Sequence, residues 1–142
     1  MMPCSFKIIP NNELELVIPL VYELNEGKID KVVLRSRFNE MKTQNYECAG
    51  IFRDNELIGV TGLWFCTRHY VGKSLELDHV YIKPDYRGEG LGKKFMKWIN
   101  DYAMDNGYNA LELNTYVQNY PSHKFYYNDG FEILGYHFLK NL

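Results

Sequence analysis

Three glycines at alternate positions, Gly88, Gly90 and Gly92, follow a predicted strand and open a predicted helix. Glycine lets the backbone approach a ligand closely, and the first turn of a helix leaves its amide N–H groups without intrahelical partners. These amides and the positive end of the helix dipole form an anion site that suits a phosphate or pyrophosphate. The stretch therefore predicts that the chain binds a phosphorylated ligand.

Two better-known glycine motifs do not fit this turn. A dinucleotide fingerprint that begins at Gly88 requires glycine or alanine at position 93, where the chain has Lys93. A P-loop requires serine or threonine after its Gly-Lys pair, where the chain has Lys94. The pattern that does fit is Arg-x-x-Gly-x-Gly, which begins at Arg87.

A second motif lies in the C-terminal part of the chain. Asn119 is followed by Ser122, by Tyr126 and then by the pair Gly130-Phe131. Together with the glycine turn, this order and spacing resembles the acetyl-CoA loop and the later motif of the GNAT superfamily of N-acetyltransferases, although Ser122 replaces the usual alanine. The resemblance extends from about residue 75 to the C-terminus, and covers the first half of the chain only in the order of its elements.

The resemblance implies that the glycine turn holds the pyrophosphate of acetyl-CoA as co-substrate, and it implies no metal. Arg87 would contribute charge to a phosphate or only a backbone contact, and Lys93 or Lys94 would meet the adenosine phosphate or be solvated. Asn119 would lie near the pantetheine arm or cap the last helix. Backbone groups of Val80 and Ile82 would pair with the pantetheine amides. The implied cofactor-binding residues are Val80, Ile82, Arg87, Gly88, Gly90, Leu91, Gly92, Lys93 and Asn119.

The implied reaction is direct attack of a primary amine on the thioester in a ternary complex. A lysine-like amine, with an unperturbed pKa of ~10, is mostly protonated near neutral pH, so a base must accept a proton. Glu76 resembles by position the glutamate base of some members, and Asp78 shares its face if no bulge intervenes. Either carboxylate could instead orient the amine, and His79 or a water chain are further candidates. Tyr126 matches the tyrosine that protonates the departing thiolate.

The resemblance thus implies an acyl-CoA-dependent N-acyltransferase. Its acceptor would be a small cationic amine, which the acidic Glu23 and Glu26 favour weakly, or a protein amino group. The alternative is a non-catalytic acyl-CoA binding or sensing module on the same scaffold. A covalent route through Cys66 is set aside, because an apolar strand without a nearby base is a poor environment for a thiolate.

These residues require a specific order of elements to position them. The resemblance implies a single α/β (α+β) domain, in which about four helices flank a mixed, mostly antiparallel twisted sheet of about six to seven strands with a splayed parallel pair. Asn11 or Asn12 and Asp30 are predicted helix caps, and Asp54-Asn55 a hairpin turn. The predicted strands cover 5–9, 46–53, 56–68, 75–82, 110–117 and 132–139, and the predicted helices cover 11–24, 30–43, 91–103 and 120–128.

In the strand predicted over 75–82, the apolar residues change from odd-numbered to even-numbered positions, which we call a change of parity. Its apolar residues occupy odd positions at first, Leu75 and Leu77, and even positions later, Val80 and Ile82. Either both faces of the strand are covered, or a bulge lies near Asp78-His79. A bulge would splay the strand from its parallel neighbour and open a slot, which in the superfamily admits the pantetheine arm.

Composition limits the remaining possibilities. The 142 residues suit one domain over 1–142, and a formal net charge of −2 disfavours bulk binding to nucleic acid. No apolar run predicts a membrane span or a signal peptide. The cysteines Cys4, Cys48 and Cys66 lack metal-type spacing and predict reduced thiols in a cytoplasmic protein. Apolar strand edges would allow a homodimer.

Overall fold

The computed structural model describes residues 3–142, so the first two residues of the domain predicted over 1–142 lie outside it. No helix within the described range has both the length and the apolar character needed to cross a lipid bilayer. The strands are β1 (Ser5–Ile9), β2 (Tyr46–Arg53), β3 (Glu56–Arg68), β4 (Gly72–Ile82) and β5 (Ala110–Leu113). The α-helices are α1 (Ile18–Leu24), α2 (Lys31–Met41), α3 (Leu91–Asp105) and α4 (Tyr120–Asn128), and short 3-10 helices cover Asn11–Val17 and Pro84–Tyr86.

The strands form one sheet in the order β1-β2-β3-β4-β5. Neighbouring strands are antiparallel except for β4 and β5, which are parallel and connected through α3. The predicted fold class, a mixed and mostly antiparallel sheet with flanking helices, is therefore confirmed. The described residues form five strands, however, and not the six to seven expected.

Apolar side chains cover both sides of the sheet, because successive residues of a strand point to opposite faces. Tyr46 and Cys48 of β2 pack in a cluster with α1 and α2, whereas Ala49 and Ile51 pack in a second cluster with α3. We call these sides the α1–α2 face and the α3 face. The α3 residues buried in the second cluster are Leu91, Phe95, Met96, Ile99 and Ala103.

Two local signals of the sequence are confirmed. Asp54 and Asn55, between β2 and β3, have φ angles of 51° and 64°, the left-handed pair that a two-residue type I′ hairpin requires. The side chain of Asp30 accepts a hydrogen bond of 3.0 Å from the amide of Val32 and so caps α2. Both signals are local, since each needs only residues within a few positions of one another.

The helix predicted over 11–24 is divided into a 3-10 helix and α1. Pro19 has no amide hydrogen and is accommodated in the first turn of an α-helix, and α1 begins one residue before it. The predicted caps Asn11 and Asn12 are wrong. Pro10 precedes the 3-10 helix, and no side chain caps it.

The last two predicted strands differ from the structure. β5 ends at Leu113, although the pattern predicts a strand over 110–117. Residues 132–139 form no strand, because a strand needs a hydrogen-bonded neighbour and none of the described strands pairs with them. We call residues 132–142 the C-terminal tail; each of its residues is exposed.

Candidate active site

A β-bulge interrupts the pairing of β4 with β3. Gly62 of β3 is opposite Asp78, and Val60 is opposite Tyr81. Between these pairs β3 has one residue, Thr61, whereas β4 has two. Of the two options that the sequence leaves open, the bulge near Asp78-His79 is therefore present, and the extra residue changes which side chains of β4 face α3.

The bulge explains the parity change in β4. Leu75 and Leu77 before it and Val80 and Ile82 after it all pack in the cluster of the α3 face. Glu76 lies between the first two and therefore points to the α1–α2 face. One strand thus presents an apolar row to α3 on both sides of the bulge.

His79 occupies the bulge in a strained conformation, with a φ angle of 35°. Its ring nitrogen Nε2 lies 2.6 Å from the hydroxyl of Tyr46, and its ring packs edge-on against Phe38 at 5.5 Å. A Cβ atom added to Gly62 would lie 2.8 Å from Cδ2 of His79, so the imidazole fills space that only glycine leaves. Burial lowers the pKa of His79, and the ring is neutral near neutral pH.

Asp78 is exposed, but both of its carboxylate oxygens have partners. Oδ1 accepts a hydrogen bond of 2.8 Å from the amide of His79, and Oδ2 accepts one of 3.0 Å from the indole of Trp64. The first bond ties the side chain to the bulge itself. The carboxylate therefore helps to fix the local backbone.

Within the part of the chain that the structure describes, β4 beyond Leu77 has a strand neighbour on one side only. Its pairing with β5 ends at Leu77 and Leu113, while β4 continues to Ile82. The parallel pair is splayed, as the sequence predicts. We call the space beside the unpaired part of β4 the β4–β5 gap.

Main-chain groups of β4 point into this gap. The amide of Lys83 donates to the carbonyl of Ile58 in β3 at 2.8 Å, so the carbonyl of Ile82, across the same trans peptide, points away from β3. Alternate residues of a strand direct their main-chain groups to the same side, and Val80 therefore shares this orientation. Nε of Arg87 donates a hydrogen bond of 2.6 Å to the Ile82 carbonyl. This backbone contact is one of the two roles that the sequence analysis gives to Arg87.

The glycine turn lies between the end of β4 and α3. Gly88 and Gly90 have φ angles of 82° and 76°, and a Cβ atom at either position would meet nothing within 4 Å. Backbone conformation, not crowding, therefore favours glycine at both positions. The first α-helical hydrogen bond of α3 runs from the amide of Lys94 to Gly90, so the helical amides of residues 91–93 have no intrahelical partner.

The first residues of α3 divide between core and surface. Leu91 is buried in the α3 face and Lys93 is exposed. A Cβ atom on Gly92 would lie 3.5 Å from the ring of Phe125 in α4 and 3.9 Å from Ile82. The start of α3, the end of β4 and α4 therefore meet at this residue.

Tyr126 follows Phe125 in α4 and belongs to the cluster of the α3 face. Its ring packs edge-on against Phe125 at 5.3 Å and Phe131 at 5.6 Å. Burial raises the pKa of Tyr126, so its hydroxyl is protonated at neutral pH, as a proton donor requires. The side chain of Asn119 accepts a hydrogen bond of 3.4 Å from the amide of Ser122 and caps α4, which is one of the two roles considered for it.

Glu76 belongs to a charged cluster that the sequence analysis did not detect. Its Oε1 lies 3.2 Å from Nη2 of Arg68, whose Nε lies 3.5 Å from Glu112. Glu112 also accepts hydrogen bonds from the hydroxyls of Ser74 and Tyr70. Burial alone would raise the pKa of Glu112, but these hydrogen bonds and the charge of Arg68 outweigh it, and the pKa lies below its ordinary value.

The register of the parallel strands β4 and β5 is the information that would reveal this charged cluster. Glu76 and Glu112 are directly opposite each other in β4 and β5. Two like charges in that position destabilise a sheet unless a cation separates them, and Arg68 supplies one. The pair becomes visible only once the alignment of two distant segments is known.

The candidate acid and the candidate bases lie on opposite faces of the sheet. Glu76 points to the α1–α2 face, and Asp78 contacts Trp64, which packs against the cluster of that face. Tyr126 lies on the α3 face. The β4–β5 gap begins after Leu77, beside Asp78 of β4.

Comparison with known proteins agrees with this geometry. The sequence model of the Acetyltransferase (GNAT) family matches residues 18–131. The aminoalkylphosphonate N-acetyltransferase of Salmonella typhimurium is 23% identical over 141 residues, which are 98% of this chain and 92% of that protein. The thialysine N-epsilon-acetyltransferase of Bos taurus is 33% identical over 57 residues, but these are only 40% of this chain and 34% of that protein.

Solved structures have the same fold. The ribosomal-protein-alanine N-acetyltransferase from Brucella melitensis superposes with a TM-score of 0.82 at 17% identity, over 98% of this chain and 99% of that chain. An aminoglycoside N-acetyltransferase in complex with CoA superposes with a TM-score of 0.80 at 17% identity, over 100% of this chain and 96% of that chain. Since the family model covers most of the sequence and the fold agrees, the chain belongs to the acetyltransferase (GNAT) family.

Proposed function

We propose that the chain transfers an acetyl group from acetyl-CoA to a primary amine by direct attack in a ternary complex. One observation carries the proposal: the glycine turn, with its open space and its helical amides, adjoins the β4–β5 gap at Gly92, where α4 also packs. An anion site, a slot and a tyrosine-bearing helix thus converge. The relatives named as N-acetyltransferases support the same reaction class.

The residues of the glycine turn fit the pyrophosphate of acetyl-CoA. Gly88 and Gly90 leave room for close approach, and the amides of residues 91–93 supply donors at the positive end of α3. Val80 and Ile82 direct main-chain groups into the gap, where they would pair with the pantetheine amides. Lys93, which is exposed at the start of α3, is available to the adenosine phosphate.

The carboxylates on the α1–α2 face would act on the acceptor amine. Under this proposal Glu76 accepts the proton, directly or through water, because Asp78 already uses both oxygens to bind the His79 amide and Trp64. Asp78 then stabilises the bulge through these two hydrogen bonds. Arg68 holds Glu76 in place through its 3.2 Å contact. A free amine attacks the thioester carbonyl carbon, and the carbon–sulfur bond breaks as the amide forms.

Tyr126 would donate a proton to the departing thiolate. Burial raises the pKa of Tyr126, so its hydroxyl is protonated at neutral pH and can donate a proton. Its helix contacts the start of α3 through Phe125 and Gly92. The acid and the base therefore approach the thioester from the two sides of the sheet.

The acceptor in this proposal is a small cationic amine. Glu23 accepts a hydrogen bond of 3.0 Å from Tyr81, which packs against the α1–α2 face, and Glu76 and Glu112 lie on the same sheet. A cationic amine is attracted by these acidic side chains. A protein amino group is the competing acceptor.

The test uses the full chain with acetyl-CoA and a panel of polyamines, amino acids, aminophosphonates, aminoglycosides and lysine peptides. Thiol release and product mass measure turnover. Tyr126→Phe should lower kcat by roughly 100-fold or more with unchanged CoA affinity by calorimetry, whereas the neighbouring Tyr127→Phe, at a position 64% exposed, should not. Tight CoA binding without turnover on any amine would support the non-catalytic binding module instead.

A further inference from the structure

Two side chains at the end of the β2–β3 hairpin contact the segment that leads into the glycine turn. Arg53 and Glu56 are opposite each other in the register, next to the hairpin turn, and we call them the hairpin pair. Side chains of directly opposed residues point to the same face of a sheet. Contacts join this pair to Lys83, Tyr86 and Glu89.

These contacts recur at every third residue of the segment. Nζ of Lys83 lies 3.0 Å from Oε1 of Glu56, and the hydroxyl of Tyr86 donates a hydrogen bond of 3.4 Å to Oε2 of the same glutamate. The guanidinium of Arg53 lies 5.2 Å from the centre of the Tyr86 ring, and its Nη2 lies 3.2 Å from Oε2 of Glu89. The segment passes through a 3-10 helix, in which three residues make one turn, so Lys83 and Tyr86 lie on the same side.

Packing does little to fix the backbone of the glycine turn. A Cβ atom at Gly88 or Gly90 would meet nothing within 4 Å, so open space surrounds both positions. Glycine also loses more conformational freedom on ordering than any other residue. A contact from Glu89, which lies between the two glycines, therefore removes freedom that a ligand would otherwise have to remove on binding.

Glu89 also brings a negative charge to the proposed anion site. It lines, together with Arg53, Leu91 and Lys94, a cavity of about 130 Å³ at the start of α3. An uncompensated carboxylate at this place repels a pyrophosphate. Arg53 neutralises that charge, and solvent screens the pair less than a fully exposed one, because the side chain of Arg53 is only 16% exposed.

We infer that the hairpin pair positions the glycine turn for acetyl-CoA, an inference that rests on the proposed function through its CoA site. Arg53 draws the Glu89 carboxylate to the hairpin and cancels its charge. Glu56 holds Lys83 and Tyr86 just before the turn. Arg53 and Glu56 are thus positioning residues, and they act on the binding of the co-substrate and not on the chemical step.

The experiment measures the dissociation constant of CoA by calorimetry for the full chain and for R53Q, E89Q and R53Q/E89Q. R53Q should weaken CoA binding about tenfold, because Glu89 is then left ionised beside the phosphates. E89Q should change the affinity by less than about threefold, and the double variant should recover most of the loss. Unchanged affinity in R53Q would overturn the inference. So would a double variant as weak as R53Q, since Arg53 would then act on the phosphate directly.

The matched control is K97Q, which also removes one positive charge from the region of α3. Lys97 contacts Asp101 at 2.9 Å and has a side chain that is 78% exposed. K97Q should leave the affinity for CoA unchanged. Equal weakening by K97Q and R53Q would assign the effect to net charge and overturn the inference.

E56Q provides a second variant, whose fold does not depend on a change at Arg53. It should weaken CoA binding about threefold, because Lys83 loses its ionic partner, with an unchanged circular dichroism spectrum. Unchanged affinity in this variant would overturn the role of the hairpin pair.

Calorimetry with CoA needs no acetyl transfer, so the two proposals can fail separately. A chain that binds CoA but acetylates no amine would contradict the proposed function alone. Where turnover is measured, R53Q should raise the KM for acetyl-CoA about tenfold and leave kcat within about twofold. A lower kcat at an unchanged KM would overturn the positioning role, and a natural sequence that does not bind CoA would overturn both proposals.

Discussion

The hydroxyl of Tyr46 and Nε2 of His79 lie 2.6 Å apart inside the bulge of β4. The hydrogen bond joins β2 to β4 across β3 on the α1–α2 face. Burial raises the pKa of Tyr46 and lowers that of His79, so both groups are neutral near neutral pH. The bond holds a residue at a φ of 35° and thereby stabilises the bulge that opens the gap.

Tyr46→Phe should lower the free energy of unfolding by about 1–3 kcal/mol, because Nε2 of His79 would be left buried without a partner. Urea unfolding at pH 7.5 measures the loss. The matched control is Tyr22→Phe, on a half-buried tyrosine that packs at the edge of the same cluster. A loss no larger than that of the control would mean that the hydrogen bond does not stabilise the bulge.

The stability of the protein should decrease as the pH falls below about 6.5. The pKa of His79 is lower in the folded state than in the unfolded state, so the unfolded state binds a proton first and is favoured on acidification. Urea midpoints between pH 8 and pH 5 should therefore decline less in His79→Gln than in the natural sequence. Parallel declines in the two proteins would assign the effect to other groups.

Gly62→Ala should destabilise the fold by about 1–3 kcal/mol and raise the KM for acetyl-CoA, since the new methyl group would displace the His79 ring from the bulge. Adding His79→Gly to this variant should restore part of the lost stability, because it removes the collision and relieves the positive φ. Unfolding energies of the two single variants and the double variant give the coupling directly. Strict additivity would rule out contact between the two positions.

Gly92→Ala should weaken CoA binding by about tenfold or more without lowering stability. The new Cβ would make only ordinary contacts in the structure, at 3.5 Å and beyond, and alanine favours a helix over glycine by about 1 kcal/mol. Gly90→Ala should instead cost stability, because its φ is 76°. Calorimetry with CoA and thermal unfolding separate the two effects. Unchanged CoA affinity in Gly92→Ala would argue against pyrophosphate at the start of α3.

Arg68→Gln should lower stability by about 0.5–1 kcal/mol, since Glu76 and Glu112 would then be opposite each other without a cation. The second substitution Glu112→Gln should recover most of this loss by removing one charge. Unfolding at low and high salt provides a further check, because added salt screens the repulsion. No recovery in the double variant would show that Arg68 acts through packing alone.

The sequence predicts the parts of this fold that depend on neighbouring residues. The hairpin at Asp54-Asn55, the cap at Asp30 and the bulge near Asp78-His79 follow from turn chemistry and parity, and each is present. The division of the 11–24 segment was open to the same reasoning, because Pro19 restricts where an α-helix begins.

The remaining features depend on contacts between distant segments. The cluster around Arg68 requires the registers of three strands, which spacing along one strand does not reveal. The segment 132–139 has the composition of a strand, but no strand among residues 3–142 pairs with it. The positions of Tyr126 and Glu76 on opposite faces likewise follow from the order of the strands and helices, not from either motif.

The bulge makes the length of β4 as important as its composition. Val80 and Ile82 lie on the α3 face only because β4 has one residue more than the segment of β3 that it faces. Deletion of a single residue at this point would move the phenol of Tyr81 to the apolar layer beneath α3 and would move Val80 and Ile82 to the α1–α2 face. Insertions and deletions, more than substitutions, are therefore the changes that this strand tolerates least.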